Sequence, residues 1–229
     1  MSSDLVFFKV HGILMFLSWG FLCPLATILA RYYKSTMYQM QPFGAPVWFQ
    51  LHRAFQYLSL LLTIISFIII FSIEKQYSTQ SMLPYAAHPA CGIIVTILVI
   101  LNPFIAFFRG KPTDPQRYIF NLFHFFIGLI AQILSVVTIF IGFKYPSMGE
   151  DYSASDVSCI LYLTMIVIQF STEVFLEIIM ILNKSLRGEK TSSGKFIDEY
   201  PMKHYIMIAF ILTEAPLTIA ICVLMGFAA

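Results

Sequence analysis

The sequence predicts an all-α membrane protein, one bundle of six transmembrane helices, and three observations carry that prediction. Of 229 residues, 59% are hydrophobic, 16% aromatic and only 11% charged, whereas soluble domains carry about 25% charged residues. Six apolar stretches, near 5–30, 48–72, 86–108, 119–142, 157–182 and 204–227, are each long enough, at about 1.5 Å per residue, to cross about 30 Å of hydrocarbon. Lipid offers no partner to a backbone N–H or C=O, so each stretch must satisfy its own hydrogen bonds as a helix.

The first stretch begins almost at Met1 and is not followed by a small-residue cleavage site, so it reads as a signal anchor that is retained. Short connections follow, marked by turn chemistry. They are Gln41-Pro42-Phe43-Gly44-Ala45-Pro46 after the first stretch, Arg109-Gly110-Lys111-Pro112-Thr113-Asp114-Pro115 after the third and Tyr145-Pro146-Ser147-Met148-Gly149 after the fourth. The polar run from Asn183 to Pro201 reads as a mobile loop before the last helix. Cys23, Cys91, Cys159 and Cys222 all fall inside apolar stretches, with no CxxC and no CxxCH, which argues against a zinc knuckle and a covalently attached c-type haem.

The net charge of +2 hides a strong asymmetry. Arg31, Lys34, Arg53, Arg109, Lys111, Arg117, Lys184, Arg187, Lys190, Lys195 and Lys203 lie at one set of helix ends and loops, against Lys9, Lys75 and Lys144 at the other. Positive charge collects on the cytosolic side, so the first, third and fifth loops are expected in the cytosol and both termini outside it.

His11, His52, His88 and His124 each lie near the N-terminal end of their own stretch. Successive helices run in opposite directions, so His11 and His88 fall near one face and His52 and His124 near the other. An imidazole in hydrocarbon needs a partner, and four at equivalent depth point to ligation more than to scattered hydrogen bonds. Two imidazoles without a carboxylate or thiol at the same depth make a poor tetrahedral zinc site. They suit the two axial positions of a haem in a bundle core.

Gly92 and Gly128 follow His88 and His124 by four residues, leaving bare backbone one turn along the same face for a flat macrocycle. In a helix of about 24 residues the two levels would be roughly 15 to 20 Å apart, close enough for electrons to pass. The expectation is a four-helix dihaem core over about 5–142 and two additional helices over about 157–227.

Four segments carry a family resemblance: His11-Gly12-Ile13-Leu14-Met15-Phe16-Leu17-Ser18-Trp19-Gly20, Trp48-Phe49-Gln50-Leu51-His52-Arg53, His88-Pro89-Ala90-Cys91-Gly92-Ile93 and Asn121-Leu122-Phe123-His124. Over about residues 8 to 142 the chain resembles the cytochrome b561 family of transmembrane electron carriers. It looks most like the b561 portion of ferric-chelate reductases that carry an extracellular DOMON domain, and no such domain is expected in this sequence. The resemblance implies two haem b groups, one between His11 and His88 on the non-cytosolic side and one between His52 and His124 on the cytosolic side. It implies transfer from cytosolic ascorbate to ferric chelate or monodehydroascorbate, in a plasma membrane or endomembrane vesicle. It also makes Arg31 the first choice for contact with an anionic donor.

Independently of the family, Arg31, Lys34, Arg109, Lys111 and Arg117 are expected to converge at the mouth of the inner site, where an anion gains Coulomb energy. Arg53, beside His52, suits a haem propionate, and Lys9 would do the same outside. Glu173, Glu177 and Glu214 lie in apolar stretches, with Glu173 and Glu214 at similar depth, where they would share a proton or face water. His204 starts the last stretch at the interface and reads as a non-ligand, while Tyr77 and Tyr85 border the outer site. Nothing points to nucleic acid as a partner, and a homodimer is left open. The competing reading is a proton-coupled transporter or channel without haem. It would string titratable groups through the midplane, whereas these histidines fall in two layers.

Overall fold

The computed structural model describes residues 3–37, 40–74, 82–111, 113–145, 152–188 and 200–227. Its helices are α1 (Ser3–Phe16), α2 (Cys23–Tyr32), α3 (Val47–Glu74), α4 (Ala87–Phe107), α5 (Arg117–Phe143), α6 (Tyr152–Gly188) and α7 (Tyr200–Phe227). A π-helical turn, Leu17–Leu22, joins α1 to α2 without a break, so the two cross as one span. Among the described residues six helical segments are long and apolar enough to span a membrane. They fall where the hydropathy put them. Side chains such as Ile68, Phe104, Phe123 and Leu212 turn outward, as lipid permits and water would not.

The bundle is built of hairpins. The first span packs on α3, α4 on α5, and α6 on α7. The first span is also the centre of the molecule: 56% of its apolar window is buried, against 11% in α4 and in α5. It touches α3, α5, α6 and α7. Small polar residues line its contacts, with Ser18, Ser59, Thr63 and Ser66 all fully buried, which lets backbones approach closely in the absence of a hydrophobic drive between helices.

One boundary differs from the sequence reading. The run after Asn183 does not begin a loop, since the α6 backbone continues to Gly188. Asn-Lys-Ser-Leu-Arg tolerates helix, and Gly188 is the first residue there suited to end one. The rest of that run, 189–199, lies outside the described residues, as do Pro146, Ser147, Met148, Gly149 and Tyr77. In the first loop, Phe43 (φ 60°) and Gly44 (φ 75°) make the tight turn, and the Gln50 amide clamps it by donating to the Pro42 and Ala45 carbonyls.

Candidate functional site: two histidine pairs

Two pairs of imidazoles meet inside the bundle. The rings of His11 and His88 are 6.4 Å apart between centroids, and those of His52 and His124 are 6.3 Å apart. Each ring is steered by the backbone of a neighbouring helix. His88 Nδ1 donates to the Thr138 carbonyl at 3.0 Å and His52 Nδ1 to the Ala26 carbonyl at 2.9 Å. His11 Nδ1 lies 2.8 Å from the Ser66 hydroxyl and 3.2 Å from its carbonyl. A carbonyl only accepts, so Nδ1 carries the proton in these three rings and Nε2 keeps its lone pair. His124 Nδ1 is buried against the Asn102 carbonyl but outside hydrogen-bond geometry.

The levels of the pairs follow from the helices. Ser66 lies fourteen residues along α3 from His52, and Thr138 fourteen along α5 from His124, which is about 21 Å at 1.5 Å per residue on either helix. This exceeds the expected 15 to 20 Å because α3 and α5 are 28 and 27 residues long instead of 24.

The His11–His88 pair opens onto a cavity lined by Phe8, Gly12, Phe67, Phe71, Gly92, Tyr145 and, at the end toward the other pair, Trp19. Gly142 packs closely there: a Cβ on it would come 3.1 Å from His88 Cε1, so the ring would have to shift. Gly92 lines the cavity as expected, but Gly128 faces the Asn102 amide, 3.5 Å from where its Cβ would be, which is ordinary close helix packing. Tyr85 packs on Tyr145, which in turn lies 5.3 Å from His88.

Lys9 is buried and points elsewhere: its Nζ donates to the Gly226 carbonyl at 3.4 Å, at the end of α7 where a cation complements the helix dipole. It is not among the residues lining the cavity.

At the His52–His124 pair, Phe120 stacks on His124 at 5.5 Å, with the planes 19° apart. Arg109 lies over Phe49 (4.7 Å) and Phe120 (5.9 Å), and Arg53 lies over Phe49 at 5.2 Å. Arg109 and Arg117 each bury an Nε without a hydrogen-bond partner. Burial, followed by the charge of Arg117, lowers the pKa of Arg109 from its ordinary value, as for a cation that a nearby anion would relieve.

The five cations expected to converge do not all do so. Lys34 lies over Trp48 at 5.4 Å, Lys111 is exposed in its loop, and Arg31 turns away to bind Glu177 of α6 at 3.0 and 3.2 Å. The Arg31 side chain finds a carboxylate on the added helix pair that sequence reading had not set beside it. Glu173 accepts from Gln169 at 3.1 Å and lies within electrostatic reach of Tyr32. Glu214 is buried, and its Oε1 has no hydrogen-bond partner among the described residues. His204 is exposed at the start of the last span.

Phe49, Phe120 and Tyr145 were not singled out from sequence. Phe120 carried a signal, being one helical turn before His124 on the same face. Tyr145 follows the end of α5 and carried none.

Membrane-embedded histidine pairs on a four-helix core define a class, and comparison with known proteins places the chain within it. The profile of the eukaryotic cytochrome b561 family matches residues 10–148. The chain belongs to that family. It is 32% identical over 148 residues to ferric-chelate reductase 1 of Homo sapiens, covering 65% of this chain and 24% of that protein. It is 30% identical over 218 residues to a putative ferric-chelate reductase 1 of Danio rerio, covering 95% and 35%. A cytochrome b561 and DOMON domain-containing protein of Arabidopsis thaliana is 33% identical over 143 residues, covering 62% and 33%. The chain thus spans about a quarter to a third of the length of these relatives. No solved structure matches it significantly.

Haem is the cofactor the family implies, and the residues present fit it. Two imidazoles on opposite sides of one metal, each bonded at about 2 Å, would have centroids about 6.3 Å apart, and the pairs stand at 6.4 and 6.3 Å. Among the described residues no group of three or more His, Cys, Asp or Glu gathers as an ion site. Pairs are what the fold brings together.

Proposed function

We propose that the chain carries electrons across the membrane on two haem b groups, the outer held by His11 and His88 and the inner by His52 and His124. The observation that carries this reading is the spacing of both pairs, 6.4 and 6.3 Å, at two levels about 21 Å apart along α3 and α5. When bound, haem supplies one-electron chemistry at each level. The chain supplies the rest: Ser66, Ala26 and Thr138 hold three rings in one tautomer, and an apolar bundle separates the two faces.

The donor enters from the cytosolic side, where Arg109 and Arg117 present buried, unpartnered guanidinium nitrogens to an anion such as ascorbate. Arg53 and Lys34, with Lys111 at the rim, add positive field there, and Arg31 joins them if Glu177 releases it. The acceptor on the other side is a ferric chelate or monodehydroascorbate, the first being what the relatives' name describes.

The test is the visible spectrum of the purified protein, with haem quantified per chain before and after ascorbate. Two b-type haems reduced by ascorbate support the reading. A protein that stays colourless when expressed with ample haem refutes it and favours a proton-coupled transporter.

A further inference from the structure

Between the two histidine levels the first span leaves α-helical geometry in the π turn Leu17–Leu22, which buries Ser18 and Trp19. π turns of this kind occur frequently at functional sites. Here the turn is held from two neighbouring helices. Ser18 Oγ lies 2.6 Å from the Ser59 hydroxyl and 2.9 Å from the Thr63 hydroxyl. The Trp19 indole N–H donates to Thr63 Oγ1 at 3.1 Å, and the Trp19 carbonyl accepts from Gln132 Nε2 at 3.2 Å. Polar side chains are expensive in hydrocarbon, yet two, Thr63 and Gln132, converge on one tryptophan, fixing its ring and its backbone together.

The place it is fixed is informative. Trp19 lines the same cavity as His11 and His88 and is 3% exposed. Its partner Thr63 lies three residues inward of Ser66 on α3, and Gln132 lies six inward of Thr138 on α5. By helix rise these put its anchors about 4 and 9 Å inside the outer level. The indole therefore stands inward of the His11–His88 pair, on the side toward the His52–His124 pair.

We propose that Trp19 is the bridge through which electrons pass between the two levels, and that the π turn exists to hold it there. This rests on the dihaem reading above. In each passage one electron leaves ferrous iron at the His52–His124 level, which becomes ferric, and reduces ferric iron at the His11–His88 level. The electron is replaced from an enediol reductant such as ascorbate. Trp19 ends unchanged, since its aromatic orbitals only lower the barrier that a saturated chain or a void would raise.

The experiment is rapid mixing of the two-haem protein with ascorbate, resolving reduction of the inner and then the outer haem, in Trp19→Phe and Trp19→Leu. Haem content and both midpoint potentials are measured alongside. With content and potentials unchanged, Trp19→Leu slows the second phase about tenfold, equivalent to about 1.4 kcal/mol, while Trp19→Phe stays near the parent rate. An unchanged second phase in Trp19→Leu overturns the proposal. Should that variant not assemble, Trp19→Met, whose flexible chain fills irregular gaps, is read the same way. Loss of the outer haem in both variants would make Trp19 a cavity wall and also overturn the bridge. A parent protein without two haems defeats the dihaem reading itself, a result distinct from any of these.

Discussion

Ser66 sets the His11 ring through a 2.8 Å contact between its hydroxyl and Nδ1, and it does so from the helix that also carries His52. One rigid rod, α3, thereby defines both levels, and α5 repeats the device with His124 and the carbonyl of Thr138. Two rods running in the same direction, with matching fourteen-residue intervals, keep the levels parallel without any contact between the pairs.

Replacing His88 with Ala should empty the outer site and leave one haem per chain, still reducible by ascorbate. Pyridine haemochrome quantification decides it. Two haems retained in His88→Ala would rule out the pairing with His11.

Ser66→Ala keeps the carbonyl near His11 but removes the hydroxyl. Partners of this type are typically worth 10- to 100-fold in metal-site affinity, and because the carbonyl remains, about tenfold weaker retention of the outer haem is expected. The inner potential should not move. A redox titration showing equal shifts at both haems would contradict the assignment of Ser66 to one level.

Gly142→Ala places a methyl 3.1 Å from His88 Cε1, on a rigid helix backbone facing a rigid ring. Overpacking of this sort costs about 1 to 3 kcal/mol, and the outer haem should be lost or its spectrum altered. Gly226→Ala, where nothing lies within 4 Å, is the matched control and should leave the spectrum as it is.

Arg109→Leu and Arg117→Leu should raise the KM for ascorbate about three- to tenfold, roughly 0.7 to 1.4 kcal/mol of lost attraction. The difference from the parent should shrink as salt is added. A KM independent of both residues would move the donor site elsewhere.

Glu177→Gln releases Arg31 from its ion pair. Both side chains are substantially exposed, 55% and 35%, so stability should change by less than about 1 kcal/mol. The KM for an anionic donor should fall in Glu177→Gln and rise in Arg31→Leu. Opposite signs in the two variants are the signature of a shared guanidinium, and no change in either would exclude Arg31 from donor contact.

Composition alone determined that this chain spans a membrane with six helices, because hydrocarbon forces an apolar stretch of sufficient length into one structure. Helix direction then sorted four histidines into two levels, since their position near each N-terminal end alternates sides by necessity. What only the tertiary structure decided concerns distances across helices. That the first span is the buried centre depends on which faces pack, and neither hydropathy nor periodicity records this. The turning of Arg31 to Glu177 and of Lys9 to Gly226 depends on side-chain reach between elements far apart in sequence. The π turn had a partial signal in Gly20 and in Pro24 just after it, whose ring crowds the carbonyl four residues back, but its contacts with Ser59, Thr63 and Gln132 arise only on packing. Sequence could establish what each helix must be, because the solvent dictates it; which residues meet is settled only when the helices pack.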